Sequence, residues 1–515
     1  MSNAGSPSTT LTRVRNSPCE MERLFSRESR YTIWRELWLW LAQSQKELGI
    51  VYLVPNPNTN TPMEERIIED EALEQLRRCC RALNYQASAQ QRCTLTPDHV
   101  LDVRTQYHFV TDLDAPKSKH WLNLGVTHEY TLENTEQILM ASAVDILNTK
   151  IAMLLYRLKS FAMDHRDVQC LVYKSGSGTP APYITTVGER IAGWAKTLGT
   201  LLRAFQILRC KIGSAGSQPI TSSEQNCISF FDKMSMLQHF EGDRSKCEKL
   251  NDLLRRKMGF ENCHAKDYSD YRGGINALLG RLCTSLGDTA LQIAEDLDHF
   301  DLTGQLVQKR ATNNGPPVTS PLLILKIAAN TLRGVADDFK NPNVSKIYGC
   351  EEYIMARLFK HAARVVRVLQ SIVESLYYDT QSAYTIKWVK MPSMMTSPLV
   401  GRLVNRHEDR ATIMRHLRAV CTNEDRMTLP FQLRVGRFLA RLVNHEFFRR
   451  HADDVRNAVL SVDDVSCFEK RVNEICGHNG IIAMRLQPYE DYIREMTAGE
   501  ARLQSPLAIQ AAPGH

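Results

Sequence analysis

The sequence predicts an all-α protein built around a bundle of long helices. Apolar residues recur at helical spacing in several long segments, which is the pattern of helices that bury one broad face. The alternation of apolar and polar residues that marks a half-buried strand is almost absent. Stretches rich in Asn, Gly, Pro and Thr separate the periodic segments and indicate loops. Long helices joined by such loops are typical of an elongated bundle.

The periodic segments follow one another along the whole chain. Trp34, Trp38 and Trp40 lie at helical spacing, so we expect them to be core side chains rather than a stacking platform. The predicted helices cover Thr32–Leu48, Glu64–Asn84, 133–163, Thr185–Leu208, Ile275–Leu297, Leu322–Phe339 and Met355–Leu376. The predicted loops are Pro55–Pro62, Lys174–Pro182, Gly213–Ser223 and Thr303–Ser320.

These segments group into three helical domains between two tails. We predict a polar tail over residues 1–20, an N-terminal helical domain over 21–118, a central bundle domain over 119–379, a C-terminal helical domain over 380–504 and a small-residue tail over 505–515. The central domain carries the longest apolar stripes, and we therefore expect it to mediate oligomerisation.

Composition narrows the class of protein. Apolar residues make up 43% and charged residues 23% of the 515 residues, which are ordinary values for a soluble globular protein. A net charge of +7, from 64 basic and 57 acidic residues, is a weak argument for a nucleic-acid partner, and none is expected. The arginine-rich stretches 402–418 and 434–456 contain interleaved carboxylates and predict a solvated helical face.

The N-terminus and the cysteines indicate the compartment. The first residues have no apolar core of a signal peptide, and the apolar runs are shorter than the ~18 residues of a membrane span, so neither secretion nor membrane insertion is expected. The 14 cysteines form no Cys-x-x-Cys pattern, which predicts reduced thiols in the cytoplasm and no metal site.

Several strings in the chain occur together, and in the same order, in one enzyme family. The aromatic string Thr32-Ile33-Trp34-Arg35-Glu36-Leu37-Trp38-Leu39-Trp40-Leu41-Ala42 is the longest of them. The others are Leu124-Gly125-x-Thr127, Thr185-Thr186-Val187-Gly188, Gly216-Ser217-Gln218, Phe240-Glu241-Gly242-Asp243, Gly259-Phe260, Tyr268-Ser269, Leu369-Gln370-x-Ile372-x-Glu374 and Gln487-Pro488-Tyr489. Over roughly residues 15–490, the chain resembles the adenylosuccinate lyases of the fumarase/aspartase superfamily.

The resemblance implies a fold, an assembly and a reaction. It implies a three-domain all-α fold with a long central helical bundle, and a homotetramer whose active sites each draw on three chains. The family reaction is a β-elimination that releases fumarate from adenylosuccinate, or from the related carboxamide ribotide, in purine biosynthesis. It requires no metal and no organic cofactor. The substrate-binding residues that the resemblance implies are Arg15, Thr127, Asn134, Ser217, Gln218, Tyr268 and Ser269.

The chain departs from the family where the catalytic base is expected. The base is a serine in a Gly-Ser-Ser-x-Met-Pro-x-Lys-x-Asn loop, whose counterpart here is about Leu306–Gly315. No serine occurs between Ser285 and Ser320, so a small error of alignment does not restore the motif. Thr312 offers a hydroxyl, but it lacks the neighbours that would lower the pKa of a hydroxyl.

The catalytic acid and the phosphate contacts are also replaced. The family's acidic histidine falls in Ser175–Ala181, and no histidine occurs between His165 and His239. A second family histidine falls near Arg104–Gln106. His128 is a replacement candidate, although a surface or hydrogen-bonded role is the simpler interpretation. Glu351 and Glu352 stand where the family has two arginines, and each would repel a nearby phosphate by ~1–4 kcal/mol.

The sequence therefore favours an adenylosuccinate lyase-like protein that is catalytically inactive. We expect no catalytic residue to be retained, no cofactor, and a structural or regulatory role in a homotetramer or in a mixed tetramer with an active lyase. The alternative is an active adenylosuccinate lyase with a rearranged site. A third class, nucleic-acid or cytoskeletal binding, would show a steep dependence of binding on salt.

Overall fold

A computed structural model gives the fold of residues 20–54, 64–81, 99–126, 128–173, 182–215, 240, 243–264, 268–308, 320–340, 350–379, 394–420 and 431–504. Most of these residues are helical, which confirms the predicted all-α class. The helices are α1 Glu20–Leu24, α2 Arg27–Glu47, α3 Asp70–Arg81, α4 His99–Phe109, α5 His128–Asp164, α6 Val187–Lys211, α7 Arg244–Lys257, α8 Tyr268–Thr303, α9 Pro321–Lys340, α10 Cys350–Ser375, α11 394–404, α12 Arg410–Val420, α13 Phe431–Asn444, α14 Glu446–Arg449, α15 Ala452–Asp463, α16 Ser466–Cys476, α17 Ile481–Leu486 and α18 Glu490–Gln504.

The described residues also form short strands that periodicity did not predict. The strands are β1 Val51–Val54, β2 Glu64–Ile67, β3 Gln169–Tyr173, β4 Pro182–Thr186, β5 Ser214–Ala215, β6 Cys263–His264, β7 Leu306–Gln308 and β8 Leu376–Tyr378. They pair as β1–β2, β3–β4 and β7–β8, all antiparallel, and as β5–β6, which is parallel. Strands of two to five residues are too short for an alternating pattern to be recognised.

The pairing corrects two sequence-based assignments. The predicted helix Glu64–Asn84 begins later, because residues 64–67 pair with β1 and the helix starts at Asp70; it is described as far as Arg81. Part of the predicted loop Thr303–Ser320 belongs to α8 and to β7, which pairs with β8. The predicted loop Pro55–Pro62, the segment 309–319 and both tails before residue 20 and after 504 lie outside the described residues.

The chain forms two compact units. The first comprises Met1–Lys150, Arg203–Gly287 and Ala328–Val365, and the second comprises Ile151–Leu202, Asp288–Ile327 and Val366–His515. Each unit includes part of α5, α6, α8, α9 and α10. The domain limits at residues 118 and 379 remain a prediction.

Helix α2 forms the core of the first unit. Trp34 and Trp38 are completely buried, as predicted, whereas Trp40 is half-buried. The indole Nε1 of Trp38 donates to Oγ1 of Thr131 at 3.1 Å, so its polar atom is satisfied inside the core. The N-terminus of α2 is capped by Ser26, whose hydroxyl accepts from the backbone N–H of Ser29 at 3.2 Å.

A buried charge joins α2 to the neighbouring helices. Arg35 is completely buried; its Nη1 donates to the carbonyl oxygen of Cys79 at 3.1 Å, and its Nη2 lies 3.3 Å from Oδ2 of Asp114. Its guanidinium also lies 5.9 Å from the ring centre of Phe109. Burial raises the pKa of Asp114, and the charge of Arg35 opposes that rise. Arg35 thus fixes α2 against α3 and the π-helical turn Val110–Asp114.

The second unit has its own apolar core among the C-terminal helices. Met395, Leu399, Leu403, Ile413, Leu442 and Phe448 are completely buried there. They come from α11 to α14, which are short helices with one apolar face each. Burial of this face contributes a free energy of roughly 25 cal/mol per Å² of apolar surface. This contribution stabilises helices that are too short to be stable alone.

Helix α5 is the one described helix that is long and apolar enough to span a membrane. The mean hydropathy of its most apolar window is 1.6, and 67% of that window is buried inside the structure. The core helix of a globular protein combines the same length and composition. This property is therefore weak evidence for insertion into a membrane.

We expect Arg35→Ala to lower the free energy of unfolding by about 3 kcal/mol, because it leaves a buried carboxylate and a buried carbonyl oxygen without their partner. Urea denaturation followed by circular dichroism measures this. Lys119→Ala is the control, because its ion pair with Asp112 is exposed, and its loss should cost less than about 1 kcal/mol. Equal effects of the two substitutions would contradict a structural role for Arg35.

Candidate functional site

The Leu-Gly-x-Thr string forms a tight turn that leads into α5. Asn123 and Gly125 both have left-handed backbone angles, with φ of 62° and 72°. Glycine adopts this conformation without steric cost, so its presence in the string has a local structural reason. Nε2 of Gln45 donates to the carbonyl oxygen of Leu124 at 2.8 Å and fixes the turn against α2. Thr127, the predicted substrate ligand of this string, lies outside the described residues.

His128 follows this turn and is engaged by an arginine. Nε of Arg104 donates to Nε2 of His128 at 3.0 Å. Burial lowers the pKa of His128, and the nearby charge of Arg104 lowers it further. The imidazole is therefore neutral at physiological pH, and the lone pair of Nε2 accepts the hydrogen bond from Arg104. In this arrangement His128 has no spare proton on Nε2 to give to a leaving group.

Asn134 is brought close to the first turn of α8. Its side chain is completely buried, and Nδ2 donates to the carbonyl oxygen of Tyr130 at 2.8 Å, one turn earlier in α5. Arg272 of α8 binds Glu133 at 2.8 Å and Glu136 at 2.7 Å, so the beginnings of α5 and α8 lie side by side. Tyr268 and Ser269 start α8.

The structure thus places the segments of three predicted site residues, Asn134, Tyr268 and Ser269, on neighbouring helices of the first unit. The remaining predicted residues, Arg15, Ser217 and Gln218, lie with Thr127 outside the described part of the chain.

In the second unit, the Thr-Thr-Val-Gly string serves the local fold. Oγ1 of Thr186 accepts from the backbone N–H of Glu189 at 3.0 Å and caps α6, while Oγ1 of Thr185 donates to Oε2 of Glu189 at 2.9 Å. A Cβ at Gly188 would lie 2.5 Å from the carbonyl oxygen of Ala162, so only glycine lets α6 begin this close to α5. Sequence reasoning identified this string but not its structural function.

The completely enclosed amide of Gln305 joins two small sheets of the same unit. Its Nε2 donates to the carbonyl oxygen of Leu171 at 3.1 Å, and its Oε1 accepts from the N–H of Leu171 at 2.7 Å. The amide therefore pairs with the centre of β3 as a neighbouring strand would. Tyr378 of β8 adds a hydrogen bond from its hydroxyl to the carbonyl oxygen of Gln169 at 2.5 Å. These hydrogen bonds hold β3 next to the β7–β8 pair.

These two strands lead into the segments where the catalytic loops are predicted. Residues 174–181 follow β3 and residues 309–319 follow β7, and both segments, with Thr312, lie outside the described residues. Glu351 and Glu352 lie in the first turn of α10.

The described residues contain no group of three or more His, Cys, Asp or Glu side chains arranged to hold a metal ion. Eight of the described cysteines are free thiols, and Cys79, Cys170, Cys283 and Cys476 among them are buried. Burial raises the pKa of Cys79 and of Cys476 to about 11, so neither thiol is a nucleophile at neutral pH.

Comparison with known proteins shows which enzymes this chain resembles. No protein-family model matches the chain. The adenylosuccinate lyase of Schizosaccharomyces pombe is 31% identical over 299 residues, which are 58% of this chain and 55% of that protein. The adenylosuccinate lyase of Saccharomyces cerevisiae is 28% identical over 292 residues, 56% and 54% of the two chains. The chain thus spans about half the length of the curated relatives it matches.

Solved structures agree over nearly the whole chain. The 3-carboxy-cis,cis-muconate lactonizing enzyme from Pseudomonas putida superposes with a TM-score of 0.68 at 12% identity, covering 93% of this chain and 100% of its own. The fumarate lyase from a Mesorhizobium species gives a TM-score of 0.64 at 13% identity, covering 89% and 97%. The chain has the helical fold of these enzymes, and its matching residues resemble those of adenylosuccinate lyases. The resemblance and the superfamily fold predicted from sequence are both confirmed.

Three contacts next to the predicted site segments serve the fold itself. The turn at Gly125, the cap at Thr186 and the amide of Gln305 are structural contacts of the fold, because each lies next to a predicted site segment and fixes its backbone. None of these contacts requires a substrate.

We expect Gln305→Leu to lower the free energy of unfolding by about 2–4 kcal/mol, because it leaves both backbone groups of Leu171 buried without partners. Thermal and chemical denaturation provide the measurement. Asn457→Leu, at an exposed amide in α15, should change stability by less than about 0.5 kcal/mol. A variant at Gln305 as stable as the parent would refute the strand-like role of this amide.

Proposed function

We propose that the chain is an adenylosuccinate lyase-like subunit that has lost the fumarate-releasing activity and acts as a structural or regulatory partner in an oligomer. One observation carries the proposal: neither the serine nor the histidine of the family motifs has a counterpart near its expected position. No serine lies between Ser285 and Ser320, and no histidine lies between His165 and His239. The proposal places the subunit in the cytoplasm, without a cofactor.

The state of His128 supports the loss of acid catalysis. It directly follows the family string that ends at Thr127, and its Nε2 accepts the hydrogen bond from Arg104. A general acid needs a proton at the operating pH, and its pKa should lie near that pH. Burial and Arg104 move the pKa of His128 in the opposite direction.

Exposed apolar side chains on the long helices support assembly. Leu323 and Ile327 of α9 are 49% and 54% exposed, and they lie one turn apart on the same face. Ile207 of α6 and Tyr353 of α10 are 44% and 63% exposed. Long central helices that present apolar side chains to water are expected to bury them against other chains. We propose a homotetramer, or a mixed tetramer with an active lyase.

The purified chain should release no measurable fumarate from adenylosuccinate or from the carboxamide ribotide. Losing the base or the acid typically removes ~10²–10⁴ of the rate apiece. An ultraviolet assay with an active lyase in parallel tests this. Turnover within tenfold of the active lyase would overturn the proposal and favour a rearranged but working active site.

Assembly is tested by Leu323→Glu combined with Ile327→Glu. Two carboxylates on this face should break the oligomer and lower the mass seen by native mass spectrometry. Leu460→Glu is the control, because Leu460 is 56% exposed on α15, outside the central helices, and its substitution should leave the mass unchanged. A parent chain that is monomeric at micromolar concentration, alone and with an active lyase, would remove the basis for a partner role.

A further inference from the structure

A groove of about 680 Å³ lies in the second unit between α5, the α16–α17 turn, α17 and α18. None of the residues that line it belongs to the predicted substrate site. The groove, called the C-terminal groove here, is lined by Tyr156, Lys159, His478, Met484, Ile493 and Arg494 among others. Its volume lies in the range of sites that hold drug-sized ligands, about 300–1,000 Å³.

The walls of the C-terminal groove are fixed by close packing. Gly199 of α6 has no Cβ, and a Cβ there would lie 2.8 Å from Cδ1 of Ile482. Ile482 is completely buried, so α17 is anchored at this point. In the preceding turn, a Cβ at Gly477 would lie 2.3 Å from the carbonyl oxygen of Asn473. The turn and α17 therefore present their side chains on a preformed wall, which lowers the entropic cost of binding.

The charges in the C-terminal groove favour an anion. Lys159 is half-buried on α5, and no carboxylate pairs with it in the described part of the chain. Arg494 has one ion pair, to Asp491 at 3.4 Å, and both side chains are exposed, so that pair is weak. Glu490 is the one carboxylate among the lining residues. Lys159 and Arg494 thus line the groove with one carboxylate, Glu490, while Asp491 lies beside Arg494 outside the lining. The space is partly enclosed, so charge interactions within it are less screened.

The floor of the C-terminal groove is apolar. Met484 is 63% exposed, which is unusual for a long apolar side chain, and Ala483, Leu486 and Ile493 lie beside it. Methionine adapts its shape to irregular apolar ligands. An apolar floor between two cations is suited to a ligand that has an anionic head and an apolar body.

We propose that the C-terminal groove binds a small amphipathic anion, with its carboxylate paired to Lys159 and Arg494 and its apolar body lying over Met484 and Ile493. Lys159 supplies the less exposed of the two contacts, because its ammonium has no carboxylate partner among the described residues and gains one on binding. This inference is independent of whether the chain has lost lyase activity.

Isothermal calorimetry on the full chain with dodecanoate and dodecanol tests the proposal. Dodecanoate should bind at least tenfold more tightly than the alcohol of the same length. Lys159→Met should weaken dodecanoate at least tenfold and leave dodecanol unchanged, and Arg494→Met should act in the same direction. Met484→Glu should weaken both ligands. Lys196→Met, at an exposed lysine of α6 outside the groove, is the matched control and should change neither affinity.

Circular dichroism and native mass spectrometry of every variant separate loss of binding from loss of fold or assembly. Equal affinity for dodecanoate and dodecanol, or an unchanged ratio in Lys159→Met, would overturn the proposal. A fall in oligomeric mass on Met484→Glu would also overturn it, because the groove would then be covered by a second copy of the chain.

Discussion

The apolar stripe of α5 is the constraint on which the rest of the structure depends. The helix has 37 residues and, at about 1.5 Å per residue, is about 55 Å long. Leu147, Ile151, Leu154, Leu155 and Leu158 are all buried along it. A stripe of this length cannot be covered by a single loop or a short helix, so other long helices must run beside it. Of the predicted substrate residues that the structure describes, Tyr268 and Ser269 begin α8, where a change of side chain need not disturb the stripe.

This separation allows a fold of this kind to persist while residues in its loops change. A buried leucine in the stripe contributes to stability through burial and close packing, and its loss costs about 2–5 kcal/mol. A catalytic serine or histidine in a loop contributes little to stability, because its value lies in the transition state of the reaction. Strings such as Thr185-Thr186-Val187-Gly188 persist for a different reason. The cap by Thr186 and the close contact at Gly188 are needed by the fold whether or not a substrate binds.

The sequence predicted the long helices because periodicity reports burial of one face over many turns. It did not predict β7 or β3, since three and five residues carry no recognisable period. The sequence also gave no sign that Arg35 is completely buried, because arginine side chains are mostly exposed in folded proteins. The amide of Gln305 was hidden in the same way, since its partner Leu171 lies 134 positions away. Contacts of that range depend on the assembled tertiary structure, not on local pattern.

The candidate site followed from resemblance more than from local chemistry, and the structure changes the meaning of its residues. Asn134 was expected to face substrate, yet its Nδ2 is directed at the backbone of its own helix. His128 was considered as a replacement acid, but its Nε2 is already an acceptor for Arg104. Nδ2 of Asn134 and Nε2 of His128 are therefore each engaged by the protein itself, and a ligand that used Nε2 of His128 would have to displace Arg104. Giving up a hydrogen bond from a charged group costs about 1.5–3 kcal/mol, so recruiting this nitrogen for acid catalysis carries a free-energy cost before any chemistry begins.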